Sequence, residues 1–180
     1  MRICIILLIL VIAKPLATAG IYGDLEFGDS RQTVTQKLRK SSLVTLSVDE
    51  AFLGRTGLNG VFKCKARLAG LDYHLYFNWS ENDGLNEITL RSNELDMACY
   101  RAELHRAWQE ADALFARVYG AATQKAPYPA SNTFGENSML ITHVWQQPGH
   151  SILLGTGVNK GKCFMFIRFV NQRITLQKTH

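Results

Sequence analysis

Apolar and polar residues alternate one for one through three successive runs between Gly60 and Arg91. A period of two is the period of a β-strand, whose successive side chains point to opposite faces. In the first run Phe62, Cys64, Ala66 and Leu68 share one face, and Lys63, Lys65 and Arg67 share the other. In the second, Tyr73, Leu75, Phe77 and Trp79 oppose Asp72, His74, Tyr76 and Asn78; in the third, Ile88 and Leu90 oppose Glu87, Thr89 and Arg91. Gly70 and the cluster Ser80-Glu81-Asn82-Asp83-Gly84 separate the runs, and an Asp-Gly pair tolerates the positive φ of a tight reversal. The pattern predicts an antiparallel meander with one apolar face and one basic, polar face.

Between Asp96 and Tyr119 the spacing changes. Tyr100, Leu104, Ala107, Trp108, Ala111, Leu114, Phe115 and Val118 recur at steps of three and four, which is a long amphipathic helix ended by Gly120. A shorter helix, capped by Asp29 or Ser30, would present Val34 and Leu38. Ser42 to Leu53 reads as a strand or an irregular connection, and Ala121 to Ser138, with Pro127 and Pro129, as an excursion that moves or meets a partner. Three more strands follow, Met139 to Gln146, Ser151 to Val158 and Lys162 to Val170. The last is apolar on both faces and belongs in the middle of the sheet. The predicted class is α+β: two helix-plus-three-strand units forming an antiparallel sheet with the helices packed on one face. Residues 20–180 read as a single α+β domain, and the repeated order of elements suggests a duplication of 20–92 and 93–172.

The first residues change the picture of where the chain works. An early charge, an apolar run from Ile3 to Ala13, and Ala17-Thr18-Ala19 together read as a secretory signal peptide over 1–19. Lys14 and Pro15 stop the run short of the roughly 20 residues a membrane span needs, so stable membrane insertion is not expected. The expected location is the periplasm, or outside the cell. Taking Arg2 and Lys14 from the 20 basic residues leaves 18 against 15 acidic ones, an excess too small to argue for nucleic acid. In an oxidising compartment two of Cys64, Cys99 and Cys163 are expected to pair; all three pairings stay open, with a lean to Cys64 and Cys99.

Candidate chemistry is sparse. There is no G-x-S-x-G, and no CxxC or His-Cys spacing to suggest zinc. His143 and His150 could face each other across the Pro148-Gly149 hairpin, but ordinary strand positions explain them more simply. Asp24, Glu26, Asp29, Glu81 and Asp83 are accounted for by capping and turns. No catalytic residue, metal or cofactor is assigned. The open face of the meander remains as the candidate surface: Lys63, Lys65, Arg67, His74, Tyr76 and Arg91, with Tyr and Arg the types enriched at protein interfaces. A basic face of this kind suits an acidic partner surface, or secondarily an anionic cell-wall or lipid component.

The order of short motifs carries a resemblance. Phe27-Gly28-Asp29-Ser30 followed by Val34 and Leu38, then Phe77 with Asp83-Gly84-Leu85, then Tyr119-Gly120 and Trp145, resembles a pattern of small exported bacterial proteins. Their architectures are those of the β-lactamase inhibitor protein and of the small lipoprotein of the outer-membrane β-barrel assembly machine. The chain departs from the lipoprotein in having no lipobox cysteine, since Cys4 lies inside the apolar run. The resemblance implies a protein that binds another protein without catalysis, as an inhibitor or immunity protein against an envelope-acting toxin or enzyme. A structural accessory of envelope assembly, and an enzyme with an unrecognised site, stand as alternatives.

Overall fold

The computed structural model describes residues 21–47 and 57–174, so the expected signal peptide and part of the connection after Leu46 lie outside the described residues. The elements in order are α1 (Arg31–Lys40), β1 (Val44–Leu46), β2 (Phe62–Cys64), β3 (Tyr73–Trp79), β4 (Leu85–Ser92) and β5 (Leu95–Asp96). A π-helical turn (Tyr100–Leu104) then leads into α2 (His105–Tyr119), followed by β6 (Gln124–Lys125), β7 (Met139–Gln147), β8 (His150–Asn159) and β9 (Lys162–Val170).

Ser30 caps α1, its hydroxyl accepting the Thr33 backbone N–H at 3.2 Å. Asp29 is occupied otherwise: it holds Lys37 at 2.8 Å and accepts the Glu26 N–H. Both helices turn their apolar stripes, Val34 and Leu38 from α1 and Ala107, Trp108, Ala111 and Phe115 from α2, into one buried cluster. The sheet meets them there with alternate residues such as Tyr73, Leu75 and Phe77 of β3 and Met165, Ile167 and Phe169 of β9. Both helices therefore share one face of the sheet.

All nine described strands form one antiparallel sheet in the order β1-β2-β3-β4-β9-β8-β7-β6, with β5 paired to β9. The middle of the sheet is the β4–β9 ladder, Glu87↔Val170 through Arg91↔Phe166. Among the described strands, β1 to β4 run inward from one edge to this ladder and β6 to β9 from the other, with β5 added beside β9 off that path. The three-strand units expected from the sequence omit β1 and β6, which span only 3 and 2 residues and leave no periodicity to read.

Two further expectations change. The first strand of the meander stops at Cys64 instead of running on to Leu68. Beyond Cys64 only the Lys65 N–H bond to the Leu43 carbonyl continues the contact with that edge, and the chain then bends and reverses through a bridge between Leu68 and Leu71 with Ala69 and Gly70 at positive φ. The excursion from Ala121 to Ser138 carries more structure than the sequence reading gave it. β6 pairs with β7, Tyr128 stacks on His105 with centroids 4.4 Å apart, and Phe134 packs edge-on against Tyr100. No helix among the described residues is long and apolar enough to cross a membrane.

Candidate functional site

The face of the sheet turned away from the helices carries the residues singled out above, and the register says which of them meet. One row across the strands runs Lys63, His74, Arg91, Phe166, Gly155; the next runs Tyr76, Thr89, Arg168, Leu153. Lys63, His74 and Arg91 are thus direct cross-strand neighbours, and the Arg91 guanidinium lies 5.9 Å from the Tyr76 ring centre. Arg67, although past the end of β2, reaches the same patch through Asp72 at 3.2 Å, which also takes Lys63 at 3.3 Å. Lys65 does not join them. Its backbone N–H bonds the Leu43 carbonyl, and the residue lines a shallow cleft beside Leu38 and Arg39 at the end of α1.

Charge on this face is compensated. The Lys63 ammonium first, then Arg67, holds the Asp72 carboxyl below its ordinary range. Arg91 pairs with Glu94 at 2.6 Å and Arg168 with Glu87 at 3.1 Å, the latter pair braced by the Thr89 hydroxyl. Partial burial, reinforced by Lys63, lowers the His74 pKa and favours the neutral imidazole. The basic face expected from the sequence is better described as ion-paired. Two of the acidic residues that pair it, Asp72 and Glu87, sit where the alternation already placed them on this face; Glu94 follows β4, and the β4–β9 pairing brings Glu87 to Arg168.

The unforeseen part of the face is aromatic. Phe164 and Phe166 point away from the helices yet are only 2% and 0% exposed. Each lies over a glycine of β8: a Cβ on Gly155 would overlap Phe166 and the Leu140 carbonyl oxygen, and one on Gly157 would overlap Phe164. Arg91 caps the Phe164 ring at 3.9 Å and Arg168 caps Phe166 at 5.3 Å. Each ring is therefore held between a glycine backbone and a guanidinium, a geometry that gains from cation–π attraction. The sequence does hold the signal, Gly155-x-Gly157 in one strand facing Phe164-x-Phe166 in the next, but it is readable only once the two strands are known to be neighbours. Beyond the rings Val144, Leu153 and Val170 form a second small cluster, covered by Ile174 as the chain crosses back over β8 and β7.

On the helix side one arrangement has the outline of a catalytic set. Asp112 lies 3.4 Å from His143 Nε2, and His143 Nδ1 lies 3.0 Å from the Thr142 hydroxyl. His143 and Thr142 are 0% and 1% exposed, and the hydroxyl accepts the Trp108 indole N–H at 2.9 Å. The set ties α2 to β7 with its His143 and Thr142 members inside the core. His143 faces Leu154 across the hairpin while His150 faces Gln147, so the two histidines do not meet. The three described cysteines are free thiols, not a Cys64–Cys99 pair. Cys64 Sγ contacts the Tyr22 hydroxyl at 3.2 Å, and Cys163 Sγ points at the carbonyls of Leu95 and Asp96. Burial raises the Cys64 pKa and pushes that of Cys163 up to about 11. Among the described residues no group of three or more His, Cys, Asp and Glu side chains is placed to hold a metal ion. The chain matches no protein-family model, no curated protein and no solved structure.

Proposed function

We propose that this is a non-catalytic protein-binding protein of the cell envelope, an inhibitor or immunity protein that occludes an envelope-acting enzyme or toxin with the open face of its sheet. The observation that carries the reading is the pair of ring–guanidinium stacks on that face, flanked by Tyr76. Planar, pre-ordered Arg and Tyr groups lose little side-chain freedom on docking, and they are the types that dominate interface energies. Internal ion pairing shifts the expected partner surface from strongly acidic to mixed, with carboxylates placed to take over individual guanidinium groups. The raised thiol pKa values support a non-catalytic role, because the thiolate is the nucleophile. The mirrored strand order fits the duplication inferred from the sequence, and the signal-peptide reading supports export.

The test is photocrosslinking in the producing cells and in neighbours that carry envelope toxins. A benzophenone side chain at Asn78, exposed on the open face, is compared with one at Arg106, exposed on α2. The reading expects one envelope protein captured from position 78 and not from 106, with its activity silenced in the complex. It also expects Tyr76→Ala and Arg91→Ala each to weaken the purified complex by about tenfold or more. Equal capture from position 106, or unchanged affinity in both variants, would overturn it.

A further inference from the structure

Of the three described cysteines at most two can pair within the chain, and the sheet decides which. Cys64 on β2 is separated from Cys163 on β9 by β3 and β4. Three strand spacings make about 14 Å, roughly twice what a disulfide spans between Cα atoms, so those two cannot meet. Cys99 and Cys163 instead converge on one atom. β5 pairs with β9 so that Leu95 faces Cys163, and the chain then enters a 3-10 turn, Met97–Cys99, with Asp96 as its N-cap. The i→i+3 pattern of that turn makes the Asp96 carbonyl the acceptor of the Cys99 N–H. The same oxygen lies 3.5 Å from Cys163 Sγ. With an N–H···O bond of ordinary length, the Cys99 nitrogen and the Cys163 sulfur are no more than about 6.5 Å apart. The Cys163 thiol registers its neighbour: burial first, and then Cys99, pushes its pKa up. Cys163 is 0% exposed, while Cys99, half-buried at the start of the π-helical turn, is open to reagents.

We propose that Cys99 and Cys163 form a disulfide under oxidising conditions, stapling the start of the π-helical turn and α2 to β9 and leaving Cys64 a buried thiol. The bridge closes the loop that holds α2 and β6 to β8, and a closed loop of that length removes much of the freedom of the unfolded chain. The oxidant is a small disulfide such as oxidised glutathione, and the order of steps follows from exposure. The Cys99 thiolate attacks the small disulfide and expels one glutathione thiolate, which leaves a mixed disulfide on Cys99. Cys163 then gives up its proton and attacks Cys99 Sγ; the new S–S bond forms as the mixed one breaks, and the second glutathione leaves. The two thiol protons end on two glutathione molecules, whose disulfide is the bond reduced. Export, as proposed above, would supply oxidising conditions in the cell; the purified chain meets them without it, so the bridge and the envelope reading fail separately.

The chain from Gly20 is purified reduced, equilibrated with oxidised glutathione, alkylated in denaturant, cut with trypsin and read by mass spectrometry. The expected result is a monomer with one alkylated thiol, Cys64, and a peptide pair joining residues 92–101 to residues 163–168. The bridged monomer should melt about 5–10 °C above the reduced one. Cys99→Ala, at a half-buried position, should fold, melt with the reduced chain and leave Cys163 unlinked. Three alkylated thiols after oxidation, glutathione retained on Cys99, a linked peptide that contains Cys64, a 92–101 to 163–168 link found only in dimers, or a bridged monomer no more heat-stable than the reduced chain would each overturn the proposal.

Discussion

Single residues gain their properties here from what the sheet puts beside them. His143 reads in the sequence as an ordinary strand position, but burial beneath Trp108 and Trp145 lowers its pKa from the ordinary 6.5. Asp112 on α2 opposes that shift and Lys125 on β6 adds to it. The sign follows from linkage: the unfolded chain binds the proton more readily than the folded one, so stability is full above about pH 6.5 and declines as pH falls toward the folded-state value. His74 shifts in the same direction and adds to the slope. Urea melts between about pH 7.5 and about pH 5 should show the loss, and His143→Gln should flatten part of it, leaving the share that belongs to His74. Side-chain direction was legible at this scale, since Lys63, His74, Tyr76 and Arg91 do share a face. The pairing of Glu87 with Arg168 was not, because it forms only where two strands far apart in the chain become neighbours.

At the scale of elements, the motifs that carried the family resemblance turn out to be halves of contacts. Gly28 N–H bonds the Leu85 carbonyl, Leu85 N–H bonds the Asp29 carbonyl, and Ser30 bridges Gly84. The start of α1 is thereby fastened to the β3–β4 turn, where Arg31 also stacks 4.6 Å from the Trp79 ring and pairs with Asp83. Gly120 and Trp145 make the second contact, the indole N–H donating to the Gly120 carbonyl at 3.0 Å. A Cβ on Gly84 would lie 3.2 Å from the Gly28 Cα, tolerable for a methyl only if the clasp gives. Gly84→Val should therefore cost roughly 2 kcal/mol. Hydrogen exchange should locate the loss in α1 and the turn, with β8 and β9 little affected. The long strands and both helices were readable because each carries enough repeats of its period; β1, β5 and β6, of 3, 2 and 2 residues, carry none.

For the whole molecule, the decisive feature is that the two halves meet edge to edge. β4 brings Ile88 and Leu90, 0% and 8% exposed, to a ladder whose other side is β9. Residues 20–92 expressed alone would present that edge and its apolar face to water. The fragment should give the narrow amide dispersion of an unfolded chain, while the chain from Gly20 unfolds in a single cooperative step. A folded, monomeric fragment would mean that each half is a domain of its own. The sequence suggested two units sharing one antiparallel sheet and placed its last strand in the middle because both faces are apolar; what it did not reveal is that β4 is the strand that β9 pairs with.

The rings laid over Gly155 and Gly157 bear on how this surface could change over generations. A docking face normally diversifies one residue at a time. Here Phe166 cannot shrink without uncovering bare backbone, and Gly155 cannot grow even if Phe166 yields, because the Leu140 carbonyl fills the remaining space. Arg91 and Arg168, at the rim and about a quarter exposed, are not confined in this way. If the face docks a partner as proposed, variation in what it recognises would be written around its margin, over a centre that stays as it is.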